Sequence, residues 1–183
     1  MVRALMARGA HPNPQTTRDS REYVYAGVNP EGATPLFLAA SRGNVETVRA
    51  LVAGGADPSV STRRGTAPLH VASWGGSPYF RDWTEDEKKD LFEVTKLLVE
   101  LGGDVNSTGE HGWTALHGAA YKGVDAVGQF LVDKGTTLEG LAVYGQTPLT
   151  IANAGFTVAA RAASSLSTRA FVNGRSALLL NPG

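Results

Sequence analysis

Residues 112–135 read GWTALHGAAYKGVDAVGQFLVDKG, and the chain restates this stretch several times. Residues 32–55 read GATPLFLAASRGNVETVRALVAGG. Another copy opens at Gly65 with GTAPLHVASWGG and closes, after an interruption, with FEVTKLLVELG ending at Gly102. A further copy opens at Gly145 with GQTPLTIANAG. Pro35 and Pro68 lie 33 residues apart, as do Ala115 and Pro148, while Pro68 and Ala115 are separated by 47, one period plus 14. A period near 33 with a Thr-Pro-Leu-His core describes an array of stacked helix pairs, not a closed globule.

Each copy carries its own start and stop signals. The hydroxyls of Thr34 and Thr147 can accept from the free amides of a helix start, and Pro35, Pro68 and Pro148 suit the first helical position, where no amide hydrogen is needed. Leu36, Ala39 and Ala40 share one helical face, and the alanines admit a neighbouring helix at close range. Gly43 and Gly123 end the first helix, because glycine tolerates positive φ. Val45, Val48, Leu51 and Val52 recur at helical spacing, which gives the second helix one buried stripe. Gly55, Gly102 and Gly135 end that helix.

TAPLHVAS, WTALHGAA and the Gly-Ala-Asp or Gly-Gly-Asp closings resemble the ankyrin repeat, and the resemblance covers nearly the whole chain. It implies an all-α repeat fold: an ankyrin α-solenoid of helix-turn-helix units with projecting β-hairpin fingers. Residues 1–183 form a single ankyrin-repeat domain on this reading. Residues 1–13 are a partial repeat, because Val2 to Ala10 aligns with Val48 to Ala56 and so supplies a second helix without its first. Residues 14–31 are a long finger insertion bearing Tyr23, Val24 and Tyr25. Residues 32–64 form a repeat with Phe37 at the histidine position. Residues 65–109 form a repeat with an insertion at 77–90 that presents Tyr79, Phe80 and Trp83. There Ala67 replaces the capping threonine, at a cost of about 1 kcal/mol unless Thr66 substitutes. Thr84 and Glu87 make a capping box, so the second helix of this repeat begins near Glu85 and runs to about Leu101. Residues 110–142 form another repeat, and 143–183 a degenerate or truncated terminal one in which Leu178 to Leu180 match loosely. The chain is read as a fragment of a longer one.

Lysine plus arginine equals aspartate plus glutamate at 17 each, so no global field favours nucleic acid or an anionic membrane. The chain has no cysteine, which removes disulfides, zinc-thiolate sites and cysteine nucleophiles. No stretch has the length of a membrane span, and MVRALMARGA reads as repeat and not as signal peptide. No signal fixes a compartment, and cytoplasmic is the default. Phosphate loops, His-Glu-x-x-His and Gly-x-Ser-x-Gly are absent. His70 and His117 sit at equivalent motif positions, where the resemblance implies that the imidazole ties loop to helix. His111 lacks companions at metal-ligand spacing. The expectation is therefore no catalytic, cofactor-binding or metal-binding residue, and no cofactor.

In ankyrin arrays the contact surface is the concave side, made of finger tips and outward positions near the end of each first helix. Carried over by alignment, those helix positions are Ser41, Arg42, Trp74, Tyr121 and Lys122. The finger positions are Arg63, Arg64, Glu110, His111, Trp113, Val143, Tyr144 and Gln146. Trp74, Trp113, Tyr121 and Tyr144 lie where a solenoid needs no aromatic for its own core, and aromatics and arginine dominate interface hot spots. The competing explanation is packing between adjacent fingers. The function expected is a non-enzymatic, monomeric module that binds a protein or peptide partner, with no nucleic acid and no membrane insertion. The alternative is the targeting or substrate-recruiting part of a larger enzyme or effector, and a structural spacer is a third. Purified protein is expected to show no saturable ATP binding and no hydrolase or transferase activity. A tightly held metal lost on His70→Ala would contradict this reading.

Overall fold

The computed structural model describes residues 1–17, 28–74 and 84–154. The segments with Tyr23 to Tyr25 and with Tyr79, Phe80 and Trp83, and the tail with Leu178 to Leu180, lie outside the described residues. Helices α1 (Val2–Ala7), α2 (Pro35–Ser41), α3 (Val45–Ala53), α4 (Pro68–Trp74), α5 (Glu85–Glu100), α6 (Ala115–Lys122), α7 (Asp125–Asp133) and α8 (Pro148–Ala154) follow one another in the expected order. Helices α2, α4, α6 and α8 pack in one row, and α1, α3, α5 and α7 in a second. Within each unit α2 packs on α3, α4 on α5 and α6 on α7. This is a helical solenoid.

The local signals work as the sequence implies. Thr34 Oγ1 accepts from the Phe37 amide at 3.2 Å, and Thr147 Oγ1 accepts from the Thr150 amide at 3.2 Å. Thr84 and Glu87 form a reciprocal capping box that starts α5 at Glu85, well ahead of the point where α3 and α7 begin in their own repeats. Gly43 and Gly123 both take φ +65, in the left-handed region that a helix needs to turn out of its last residue. Ala67 brings a difference. The Thr66 hydroxyl does not cap α4 but accepts from the Glu110 amide at 3.1 Å, so the helix start is held from the other side by His70 Nδ1, which accepts from the Ala67 amide at 2.9 Å.

Core burial follows the period. Leu36, Leu69 and Leu116 occupy equivalent places in successive first helices at 0%, 2% and 1% exposure, and each such leucine contributes about 1.5–3 kcal/mol by leaving water. Leu51, Leu98 and Leu131 do the same in the second helices. Helix α1 is the thin end: it buries no residue, and Leu5 is 52% exposed. Val2 and Met6 nonetheless pack against the core.

The fingers are tight turns. Backbone bonds close them from Thr62 N–H to Thr66 O at 2.9 Å, Gly109 N–H to Trp113 O at 2.8 Å and Ala142 N–H to Gln146 O at 2.9 Å. Neighbouring fingers join through Arg63 N–H to Glu31 O and Val143 N–H to His111 O, both at 2.9 Å. Hairpin bonding is present, but among the described residues no strand ladder forms. A repeated clamp escaped the sequence reading. Asn13 donates to Gly55 O and accepts from the Asp57 amide, and Asn106 donates to Gly135 O and accepts from the Thr137 amide. Each asparagine stands four residues past a closing glycine and fastens its loop to the next unit.

Thr95 of α5 takes the register position of Val48 and Gly128, is fully buried, and leaves its hydroxyl without a partner among the described residues. Thr95→Val keeps the shape and removes an unsatisfied polar group, so it is expected to stabilise the fold by about 1 kcal/mol in urea denaturation. Leu116→Ala, a core truncation, is expected to cost about 2–5 kcal/mol. A lower urea midpoint for Thr95→Val would show that the hydroxyl is satisfied in the native protein.

Candidate functional site

Helices α4 and α6 converge at their C-terminal ends, and the sequence explains how closely. Gly118 lies on α6 where a Cβ would meet the Cβ of Trp74 at 3.0 Å and Ser73 Oγ at 3.3 Å. Glycine here lets Trp74, the last residue of α4, settle against the next unit. The Trp74 ring then stacks on Trp113, with centroids 4.8 Å apart and planes inclined by 26°. Tyr121, near the end of α6, presents its edge to both rings, at 6.2 Å from Trp74 and 5.6 Å from Trp113. Trp113 also lies 6.1 Å from the His117 ring. Three of the four aromatics singled out by alignment thus form one half-buried cluster. The competing explanation, packing between units, is in part what the rings do: Trp74 packs against the core, and its indole N–H is buried with no acceptor among the described residues. Offset and edge-on ring pairs of this kind add about 0.5–1.5 kcal/mol beyond their buried area.

Tyr144 stands apart from the cluster. It is 85% exposed on the last described finger, beside Val143 at 60% and Leu141 at 67%. Gln146 is half-buried and its carbonyl receives bonds from Ala142 N–H and from the His117 ring. Arg42 caps α2 in an exposed position. Lys122 ends α6 with its ammonium 5.7 Å from the Tyr121 ring centre, and burial pushes its pKa below the usual lysine range.

Two residues sit differently from an outward contact. Ser41 is fully buried, because its hydroxyl turns back to donate to Leu38 O at 2.9 Å. Glu110 has a side chain only 7% exposed. Its carboxylate accepts from the Asn29 amide at 3.0 Å, pairs with the Arg64 guanidinium, and lies 3.5 Å from His111 Nε2, so it ties three successive fingers together. Arg63 pairs with Glu31 at 3.1 Å. His111 itself takes φ 63 in a short 3-10 turn, Glu110–Gly112, and is exposed.

His70 and His117 are ties. His70 Nε2 meets Ser107 O at 2.9 Å, and His117 accepts from the Thr114 amide through Nδ1 and meets Gln146 O through Nε2 at 3.1 Å. With Nδ1 as acceptor, Nε2 carries the proton and donates to the carbonyl in each ring, which is the neutral tautomer. Among the described residues no group of histidine and carboxylate side chains could hold a metal ion, and no helix is long and apolar enough to cross a membrane. A cleft of about 330 Å³ between the starts of α5 and α7 is lined by Lys88, Lys89, Phe92 and Asp125, and none of the aligned contact residues reaches it.

Burial lowers the pKa of His70 and His117 below 6.5, outweighing the backbone bonds that favour the charged ring. Between the lowered folded value and about 6.5 the unfolded chain binds more protons, so stability is full above that window and falls as pH drops through it. Each histidine can impose a slope of at most about 1.4 kcal/mol per pH unit. The urea midpoint is therefore expected to drop from pH 7.5 to pH 5.5, and His117→Gln to reduce that drop. A midpoint rising toward pH 5.5 would show that the rings are stabilised charged.

The family model for ankyrin repeats (3 copies) matches residues 1–81 and 87–162. The chain is 35% identical over 130 residues to XBAT35 of Arabidopsis thaliana, which carries the name of an E3 ubiquitin-protein ligase, covering 69% of this chain and 25% of that protein. It is 33% identical over 120 residues to human transient receptor potential cation channel subfamily A member 1, covering 65% of this chain and 10% of the channel subunit. It is 40% identical over 65 residues to mouse protein phosphatase 1 regulatory subunit 12A, covering 36% of this chain and 6% of the subunit. The chain thus spans a quarter or less of the length of these relatives. The period, the caps, the histidine ties and the family match agree, and the chain belongs to the ankyrin repeat family, whose repeats are non-catalytic protein-interaction modules.

Proposed function

We propose that the chain binds a protein or peptide partner, as a monomer and without chemistry of its own, through the face made by the ends of the first helices and the fingers. The observation that carries this reading is the Trp74, Trp113 and Tyr121 cluster. A solenoid holds its units together with leucine and alanine and has no need of a three-ring platform at one edge, whereas large rigid aromatics are the side chains on which binding free energy concentrates. Arg42, Arg63, Arg64, His111, Lys122, Tyr144 and Gln146 add further contacts along the same proposed face. Glu110 acts from beneath by holding the fingers in register.

A second reading follows from coverage: the chain spans 25%, 10% and 6% of the three relatives. In it this module recruits a target for a larger polypeptide whose activity lies elsewhere. Both readings use the same face. Against partners captured on the wild-type protein, Trp113→Ala and Tyr121→Ala are each expected to weaken binding by about 2 kcal/mol or more, with a smaller fall in melting temperature than Leu116→Ala produces. Trp74→Ala is expected to lower both affinity and melting temperature, since that ring also packs on the core. Captured partners whose titrations ignore Trp113→Ala and Tyr121→Ala would move the interface away from this face.

A further inference from the structure

Around the aromatic platform the charges are arranged with one sign outward. Arg63 and Arg64 keep 69% and 56% of their side-chain surface exposed, while their partners Glu31 and Glu110 keep 26% and 7%. Each ion pair runs through a single terminal nitrogen, Nη1, and a guanidinium has five N–H donors, so much of each fork faces solvent. The buried Glu110 and the half-buried Glu31 hold the two forks in place and thereby reduce the side-chain entropy that a binding partner has to overcome. Arg64 is tied to the platform through Glu110, which opens the 3-10 turn that ends at Trp113. Lys122, at the end of α6, lies half-buried with its ammonium 5.7 Å from the Tyr121 ring centre. An ammonium in that state gains more from a carboxylate than a hydrated one does.

We propose that this face takes an acidic peptide segment with an aromatic or large aliphatic anchor: the anchor seats on Trp74, Trp113 and Tyr121, and flanking carboxylates bridge to Arg63, Arg64 and Lys122. The inference rests on the interaction face proposed above and adds the chemical class of the partner. Arginine forks suit planar carboxylates bidentately, and charge-assisted bonds of that kind are the strong ones. A nucleic acid is the other anion that stacks on aromatics. It fits less well, because its affinity grows with the number of phosphates neutralised, whereas this chain has no net charge and places Glu31 and Glu110 directly under the two arginines. A peptide can position its few carboxylates over the forks and leave the rest of its backbone neutral.

The test is a display selection of random dodecapeptides on the full chain, run in parallel on Trp113→Ala and on the Arg63→Gln/Arg64→Gln double variant. Glutamine avoids setting a new carboxylate beside Glu110, and thermal melting checks that each variant is folded. Wild-type pools are expected to enrich aspartate and glutamate around a Phe, Tyr, Trp or Leu, and the enriched peptide to lose at least tenfold in affinity on either variant. Between 50 and 300 mM NaCl its affinity is expected to fall at least threefold. Pools that depend on Trp113 but show no acidic bias, or a basic one, overturn the acidic class and leave the interaction face standing. Pools indifferent to both variants, or no enrichment at all, overturn the face itself and this inference with it. A twelve-nucleotide oligouridylate that binds more tightly than the best peptide, with the same dependence on Arg63 and Arg64, overturns the choice of a peptide.

Discussion

Leu36, Leu69 and Leu116 are dry because a neighbouring unit covers them, and that dependence on neighbours governs the rest of the molecule. No helix pair of this size can hide its own apolar stripe, so stability accumulates interface by interface. Small residues make the interfaces close: Ala40, Ala72 and Ala119 are almost wholly buried. Gly118 carries this further, since a Cβ there would lie only 3.0 Å from the Trp74 Cβ. Burial is thinner in the first and last described helices. Helix α1 buries nothing fully, and Leu149 of α8, equivalent to Leu116, is only half-buried.

Much of this was legible because it is local and periodic. The 33-residue spacing set the units, Thr34 and Thr147 marked helix starts, and Thr84 with Glu87 located the beginning of an extended α5 inside an interrupted repeat. What the sequence hid depends on which groups meet across units. Asn13 and Asn106 look like ordinary loop residues until each is seen bonded to a turn in the following repeat; an asparagine four places after the closing glycine was the available signal. Thr66 seemed a stand-in for the missing cap at Ala67, but its hydroxyl is claimed by Glu110 of the next finger. Glu110 aligned with outward finger positions, yet a carboxylate offered an amide and a guanidinium at once goes inward to them.

The same cross-unit bonding explains the sidedness of the candidate face. Carboxylates and imidazoles are the groups that accept or exchange bonds with backbone amides and carbonyls, so Glu110, His70 and His117 are drawn into the joints between repeats. Arginine offers donors in several directions and an apolar stem, so Arg63 and Arg64 can pair with an inward acid through one nitrogen and still face water. The outward excess of cations on this edge arises from how the fingers are fastened, although the chain as a whole is neutral. Alignment picks out these positions without their inward or outward sense.

Trp74 shows why a solenoid's binding face and its core are not cleanly separable. It ends a first helix, where the alignment expects an outward residue, yet it packs on the core and buries an indole N–H that no described residue accepts. A buried donor without an acceptor costs about 1–3 kcal/mol, and among the described residues this one has none. What the tryptophan provides in return is a floor on which Trp113 stacks at 4.8 Å, and that floor holds the second ring half-exposed at the edge of the array. In the proposed interface, Trp113 and Tyr121 would present rigid apolar surface with little entropy left to lose on binding, unlike an exposed ring such as Tyr144.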